Sequence, residues 1–161
     1  MCEYEVTEKI SVEEIHKEID LIQGCINRMA QNSFLIKGWM VTLFAVILAL
    51  VPEKVEPCNR IFLGAIMVVI VIMFWYLDVF FLETEKNYRA VYSWVLWERP
   101  RGNRQLLYEL NCKKYMNEGF IVNAAIRNVM RSPTLAWFYG IPLVVSGLYF
   151  AIQIAACCAI E

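Results

Sequence analysis

The sequence predicts an all-α integral membrane protein with three spanning helices and cytoplasmic amphipathic helices. Hydrophobic residues make up 59% of the 161, above the roughly 45–50% usual for soluble domains, and mean hydropathy is +0.47. Charged residues, 19% of the chain, fall in blocks between long apolar runs. Three of those runs reach about 18 residues or more, the length at which a helix crosses a hydrocarbon layer of ~30 Å. One membrane domain accounts for the whole length.

The first expected element is an amphipathic helix over 12–31. Ser11-Val12-Glu13-Glu14 reads as a capping box, in which the hydroxyl and Glu14 satisfy exposed amides reciprocally. Val12, Ile15, Ile19, Ile22, Ile26 and Met29 follow at spacings of three and four, a narrow seam that needs an apolar partner. That partner is either the same helix in a neighbouring subunit, making Ile15, Ile19, Ile22, Ile26 and Met29 an oligomer seam, or a cytoplasmic helix of the same chain. The first 31 residues are acidic and amphipathic, not basic then apolar, so no secretory signal is expected there.

The first span is expected over 34–51 and ends at Pro52. Lys37, near its start, has a stem long enough to reach the interface. The second span, 61–82, holds a single charge, Asp78. Beyond it Tyr88, Val91, Tyr92 and Val95 form an amphipathic stripe, which predicts that the helix continues into the cytoplasm until Arg99-Pro100-Arg101-Gly102-Asn103 breaks it. Residues 104–131 read as one long or two shorter amphipathic helices with Gly119 as a junction, so that 83–131 forms a cytoplasmic helical segment. The third span is expected over 134–156, with a kink at Pro142.

Orientation follows from the basic residues. Residues 1–37 and 83–133 hold thirteen lysines and arginines, whereas the loop between the first two spans holds Lys54 and Arg60 alone. This asymmetry predicts a cytoplasmic amino terminus, an external carboxyl terminus and a place in the cell (inner) membrane. Trp39, Trp75, Tyr76, Trp137 and Tyr139 all map to the inner boundary as an aromatic belt.

Among candidate functional residues the pair Lys37 and Asp78 stands first. Both fall a few residues inside the inner boundary, at similar depth. A lone carboxylate there costs about 2.5–3.5 kcal/mol on insertion scales, so Asp78 calls for a partner, either as a clasp between helices or as a charge in a gate. Small residues mark close approach: Gly38, Thr42, Ala45 and Ala49 on the first span, and Gly147, Ala151 and Ala155 on the third. Packing within the chain is the simpler expectation for both. Cys58 and the pair Cys157/Cys158 fall on the outer side, where an oxidising compartment can join them; lipid-facing or buried thiols are the simpler expectation.

Several function classes find no support. A net charge of −1 argues against nucleic acid as a partner. The six cysteines make no CxxC pair, and Cys25, Cys112 and His16 lack zinc-ligand spacing. No nucleophile elbow or phosphate-binding glycine loop occurs, so no catalytic residues, metal or cofactor are expected. The expected partners are the lipid bilayer, further copies of the chain and a cytosolic protein.

The stretches NSFLIKGWMVTL (32–43), FWYLDVFFLETEKNYRAVY (74–92) and RSPTLAWFYG (131–140) resemble a widespread group of small bacterial multi-pass membrane proteins. That group has an Asn-Ser-Phe-Leu-x-Lys-Gly-Trp entry to its first span and an aromatic-Leu-Asp exit from its second. The resemblance covers roughly residues 20–145. By it, Asn32, Gly38 and Trp39 form a helix-entry motif, and Lys37 and Asp78 are the positions of interest. More loosely, the layout is similar to SLATT-type effectors and other transmembrane accessory proteins of antiphage loci, although those pair two spans with cytoplasmic helices and this chain adds a third. The resemblance implies a self-associating membrane effector or accessory protein that permeabilises or attaches to the membrane. A non-catalytic anchor or scaffold for a cytosolic partner, or a small channel or transporter subunit, fits the same layout.

Overall fold

The computed structural model describes residues 10–49 and 57–158, with only the backbone described at Pro57, Cys58 and Cys158. Among the described residues there are five α-helices, α1 (Val12–Ala49), α2 (Pro57–Glu98), α3 (Cys112–Asn117), α4 (Ile126–Met130) and α5 (Pro133–Cys158), with a single 3-10 turn at Arg99–Arg101. No strand occurs among the described residues. Three helices, α1, α2 and α5, are long and apolar enough to cross a membrane. Positions 50 and 51 of the expected first span, Lys54, and the thiols of Cys58 and Cys158 lie outside the described residues.

The expected amphipathic helix 12–31 and the first span are one helix of 38 residues. No proline lies within it, and Gln31-Asn32-Ser33-Phe34 offers nothing that must interrupt the backbone ladder. It opens with the capping box: Glu14 N–H donates to Ser11 Oγ at 3.1 Å, and Ser11 N–H donates to Glu14 Oε2 at 2.9 Å. The same two bonds hold the Glu14 carboxyl below its usual range, the backbone bond from Ser11 being the main cause. Helix α2 runs uninterrupted for 42 residues, from the second span through the expected cytoplasmic extension. Pro100 stops it, and Gly102, at φ +87°, turns the chain away. Pro142 lies inside α5.

The chain divides into two compact units, residues 1–30 with 83–124 and residues 31–82 with 125–161. In the first unit Ile22, Val91, Val95, Tyr115 and Ile121 form a buried core, with Ile19 and Ile26 packed against it. The α1 seam is thus occupied from within the chain by the carboxyl-terminal half of α2 and by α3. As an oligomer seam the stripe is corrected: Ile22 is fully buried, Ile15, Ile19, Ile26 and Met29 are half-buried, and only Val12 stands out at 68% exposure. Trp94 stacks on Phe120 at 4.9 Å and meets Tyr115 edge-on at 5.3 Å.

Residues 104–131, expected as one long or two shorter amphipathic helices with Gly119 as a junction, hold two helices on either side of Gly119, and both are very short. These are the six-residue α3 and the five-residue α4, joined by turns. Side chains take backbone groups that a longer helix would have used. Asn87 accepts from the Ala124 N–H at 2.9 Å, and the Tyr115 hydroxyl reaches the carbonyls of Leu106 and Glu109 at 3.0 and 3.1 Å. Leu106 and Tyr108 adopt positive φ, 54° and 59°, a conformation that bulky residues hold only when surrounding contacts impose it. Gly119 ends α3 at φ +75°, with Phe120 N–H bonded to Tyr115 O and Gly119 N–H to Met116 O, the paired closure for which glycine is favoured.

Burial pushes the Cys112 thiol up to about 11 and the Tyr115 hydroxyl up to about 12. Both groups hold their protons more tightly folded than unfolded, so their contribution is intact below pH 9 and is lost as pH climbs through 9 to 12. Native Cys112 is expected to resist alkylation at pH 8 and to react at the ordinary thiol rate once unfolded. A time course with iodoacetamide read by peptide mass checks this, and rapid native alkylation would contradict it.

In the second unit Ile36, Met40, Val71, Phe74, Val79, Val129, Leu135 and Tyr139 form the core, drawing on α1, α2, α4 and α5. Gly64 is the close-approach point, since a Cβ there would lie 3.2 Å from the Phe150 backbone and side chain. The faces marked by small residues are elsewhere. Gly38, Thr42, Ala45 and Ala49 are exposed, as are Ala151 and Ala155, and nothing lies within 4 Å of a Cβ at Gly38 or Gly147. The expectation that these stripes pack within the chain is therefore corrected: α5 meets α2 through Gly64 instead.

Candidate functional site: a buried charge cluster within the spans

Asp78 has no exposed surface. Lys37 Nζ lies 2.6 Å from its Oδ2, the Tyr139 hydroxyl donates to Oδ2 at 3.0 Å, and the Ser33 hydroxyl donates to Oδ1 at 2.5 Å. Lys37 Nζ also donates to Ser33 Oγ at 2.7 Å. Ser33 therefore accepts from the ammonium and donates to the carboxylate, closing a triangle. Three helices each place a group here: Ser33 and Lys37 from α1, Asp78 from α2 and Tyr139 from α5.

Helical spacing explains the arrangement on α1. Ser33, Lys37 and Met40 fall four and three residues apart on one stripe, so the face that buries Met40 also points both polar groups at α2. Gly38 and Trp39 fall on other faces and are exposed, Trp39 at 64%, while Asn32 is half-buried. None of Asn32, Gly38 and Trp39 bonds to Asp78; of the stretch 32–39 it is Ser33 and Lys37 that do. The aromatic belt divides as well. Trp39, Tyr76 and Trp137 face outward at 62–72% exposure, whereas Trp75 stacks on Tyr139 with ring centroids 6.1 Å apart and planes within 5°. Trp75 Nε1 is buried without a hydrogen-bond partner.

Chemically the cluster surrounds a carboxyl group that has no exposed surface. One cation and two hydroxyl donors replace the water that Asp78 leaves behind, and charge-assisted bonds of this kind are about twice as strong as neutral ones. Lys37 keeps 24% of its side chain exposed, so the cluster is closed on the Asp78 side and open at the ammonium. Ser33 and Tyr139 were not among the residues expected to act. The local signals for Ser33 are its position four residues before Lys37 and its place in the stretch 32–43, and for Tyr139 a place in the aromatic belt and in the stretch 131–140.

A second buried ion pair lies in the other unit and went unmarked in the sequence. Arg99 Nε and Nη2 donate to Glu18 Oε2 and Oε1, each at 2.7 Å, with both side chains at most 1% exposed. Arg99 Nη1 donates to the carbonyls of Asn103 and Gln105, Tyr108 N–H donates to Glu18 Oε1, and the guanidinium lies 5.2 Å from the Trp94 ring centre. Every acceptor that Arg99 meets lies within the fold, so the fork orders the turn after α2 and presents no reactive group.

Among the described residues no three His, Cys, Asp or Glu side chains gather to hold a metal ion, and Cys25, Cys112 and Cys157 are free thiols. No protein-family model, curated protein or solved structure matches the chain.

Proposed function

We propose that this protein is a non-catalytic, self-associating effector or accessory protein of the bacterial inner membrane, serving in antiphage defence, with its amino terminus and the 83–131 segment in the cytoplasm. The observation that carries self-association is the surface of the spans. Only 17%, 28% and 6% of the three span windows are buried within the chain, and the small-residue faces of α1 and α5 are uncovered. A shallow apolar groove of about 350 Å³ on α5, lined by Ala136, Trp137, Gly140, Ile141, Val144 and Val145, lies along the same side. Without a hydrophobic drive between helices in lipid, small residues that let backbones approach are what favour association. The Lys37–Asp78 cluster then serves as a charge that changes partner when copies assemble.

The test is a mass measurement of the detergent-solubilised protein with ion flux from liposomes holding it. Oligomers and flux are expected for the natural sequence, and Gly147→Leu is expected to reduce both. A monomer at every concentration removes self-association, and oligomers without flux in any state remove permeabilisation. Oligomers without flux would favour a scaffold for a cytosolic protein, a reading supported by the separate core of the unit made from 1–30 and 83–124.

A further inference from the structure

We propose that α4 and the turn into α5 form a seat for an anionic phospholipid headgroup, with Arg127 and Arg131 holding its phosphate. Val129 is 1% exposed and sits in the core with Leu135 and Tyr139, which sets the rotation of α4. Arg127 and Arg131 are then both exposed. The Arg131 N–H donates to the Arg127 carbonyl at 3.2 Å, so the two residues stand one helical turn apart, with Cβ atoms at a spacing of about 5–6 Å.

Neither arginine forms an ion pair among the described residues. The sequence contains no aspartate or glutamate between Glu118 and Glu161, so no acid lies near them along the chain. Asp78, the acid in the same unit's core, is taken by Lys37. Among the described residues these two guanidinium groups have no acidic partner, and they stand at the foot of a helix that begins at Pro133 and is apolar thereafter. Guanidinium forks match phosphate oxygens in geometry as well as charge.

The apolar neighbours select a lipid as the source of that phosphate. Ile126 and Met130 flank the arginines on α4 at 44% and 38% exposure, and Trp137, one turn into α5, is 72% exposed. A short helix with bare apolar and bare cationic faces side by side suits the boundary between headgroups and acyl chains. Two charges next to a greasy face are a poor footprint for nucleic acid, which needs a broader basic surface.

The seat requires the spans to lie in a bilayer but neither self-association nor flux, so a monomer without conductance leaves it intact. The full-length protein, exchanged into detergent with equal phosphatidylglycerol and phosphatidylcholine, is read by native mass spectrometry for retained lipid. Phosphatidylglycerol is expected to be retained over phosphatidylcholine by roughly tenfold or more, less so at high salt. R127Q/R131Q is expected to erase that preference while leaving phosphatidylcholine retention unchanged, R127K/R131K to keep most of it, and R101Q to keep all of it. Equal retention of the two lipids by the natural sequence, or a preference that survives R127Q/R131Q, would overturn the proposal. So would displacement of phosphatidylglycerol by millimolar inorganic phosphate alone, which would mean a free-anion site.

Discussion

Replacing Lys37 by methionine is expected to destabilise the membrane unit by about 3 kcal/mol, because it strands the Asp78 carboxylate in an apolar layer with only two hydroxyl donors. Asp78→Asn is expected to cost less, about 1 kcal/mol. Its amide still bonds Ser33 and Tyr139, and the Lys37 ammonium, already 24% exposed, can extend towards the interface. The double variant K37M/D78N should recover much of the loss from K37M alone, since it removes both charges together. Unfolding in mixed micelles, followed for all three variants, gives the ordering. A D78N protein less stable than K37M would mean that the ammonium, not the carboxylate, is the group that cannot stand alone.

This ordering separates the two roles open to the cluster. A pure clasp predicts that stability and any flux fall together across the three variants. A charge that changes partner on assembly predicts that D78N folds almost normally yet loses flux.

The second large effect is expected at Arg99. Arg99→Ala leaves a fully buried Glu18 carboxylate and frees the carbonyls of Asn103 and Gln105, for an expected loss of about 3–5 kcal/mol in the unit formed by 1–30 and 83–124. Arg99→Lys is not a conservative repair, because a single ammonium cannot reproduce a fork that spans both Glu18 oxygens and two carbonyls. Glu18→Gln should lie between the two: it keeps an acceptor for the Tyr108 N–H but leaves the guanidinium uncompensated. Amide hydrogen exchange is the direct measurement, with protection expected to fall first over residues 99–124. Unchanged protection there in Arg99→Ala would show that the turn is ordered by its apolar contacts alone.

Local rules carried the sequence far in some places. The capping box at Ser11–Glu14, the stop at Pro100–Gly102 and the role of Gly119 are set by residues within a turn of one another, and each is visible in the chain. The three apolar stretches are equally legible, since the length of a span is a property of consecutive residues. Lys37 and Asp78 were also readable as a pair, because counting residues from the end of each span gives depth, and a buried charge at a given depth needs its opposite there.

What the sequence by itself determined, then, is where helices start and stop outside the turn-rich segment, which of them can cross a bilayer, and that Lys37 and Asp78 meet. Only the tertiary structure decided which face of each helix is spent inside the chain. It assigned the α1 seam to an intramolecular core, left the small-residue stripes bare, brought Ser33 and Tyr139 to Asp78, and paired Glu18 with Arg99 across 81 positions. The helices within 104–131 are shorter than periodicity suggests for the same reason: the backbone groups of Gln105, Leu106, Glu109 and Ala124 bond to Arg99, Tyr115 and Asn87. Periodicity records an apolar face but not its partner, and a hydrogen bond to a distant side chain leaves no trace in the residues around the group that accepts it.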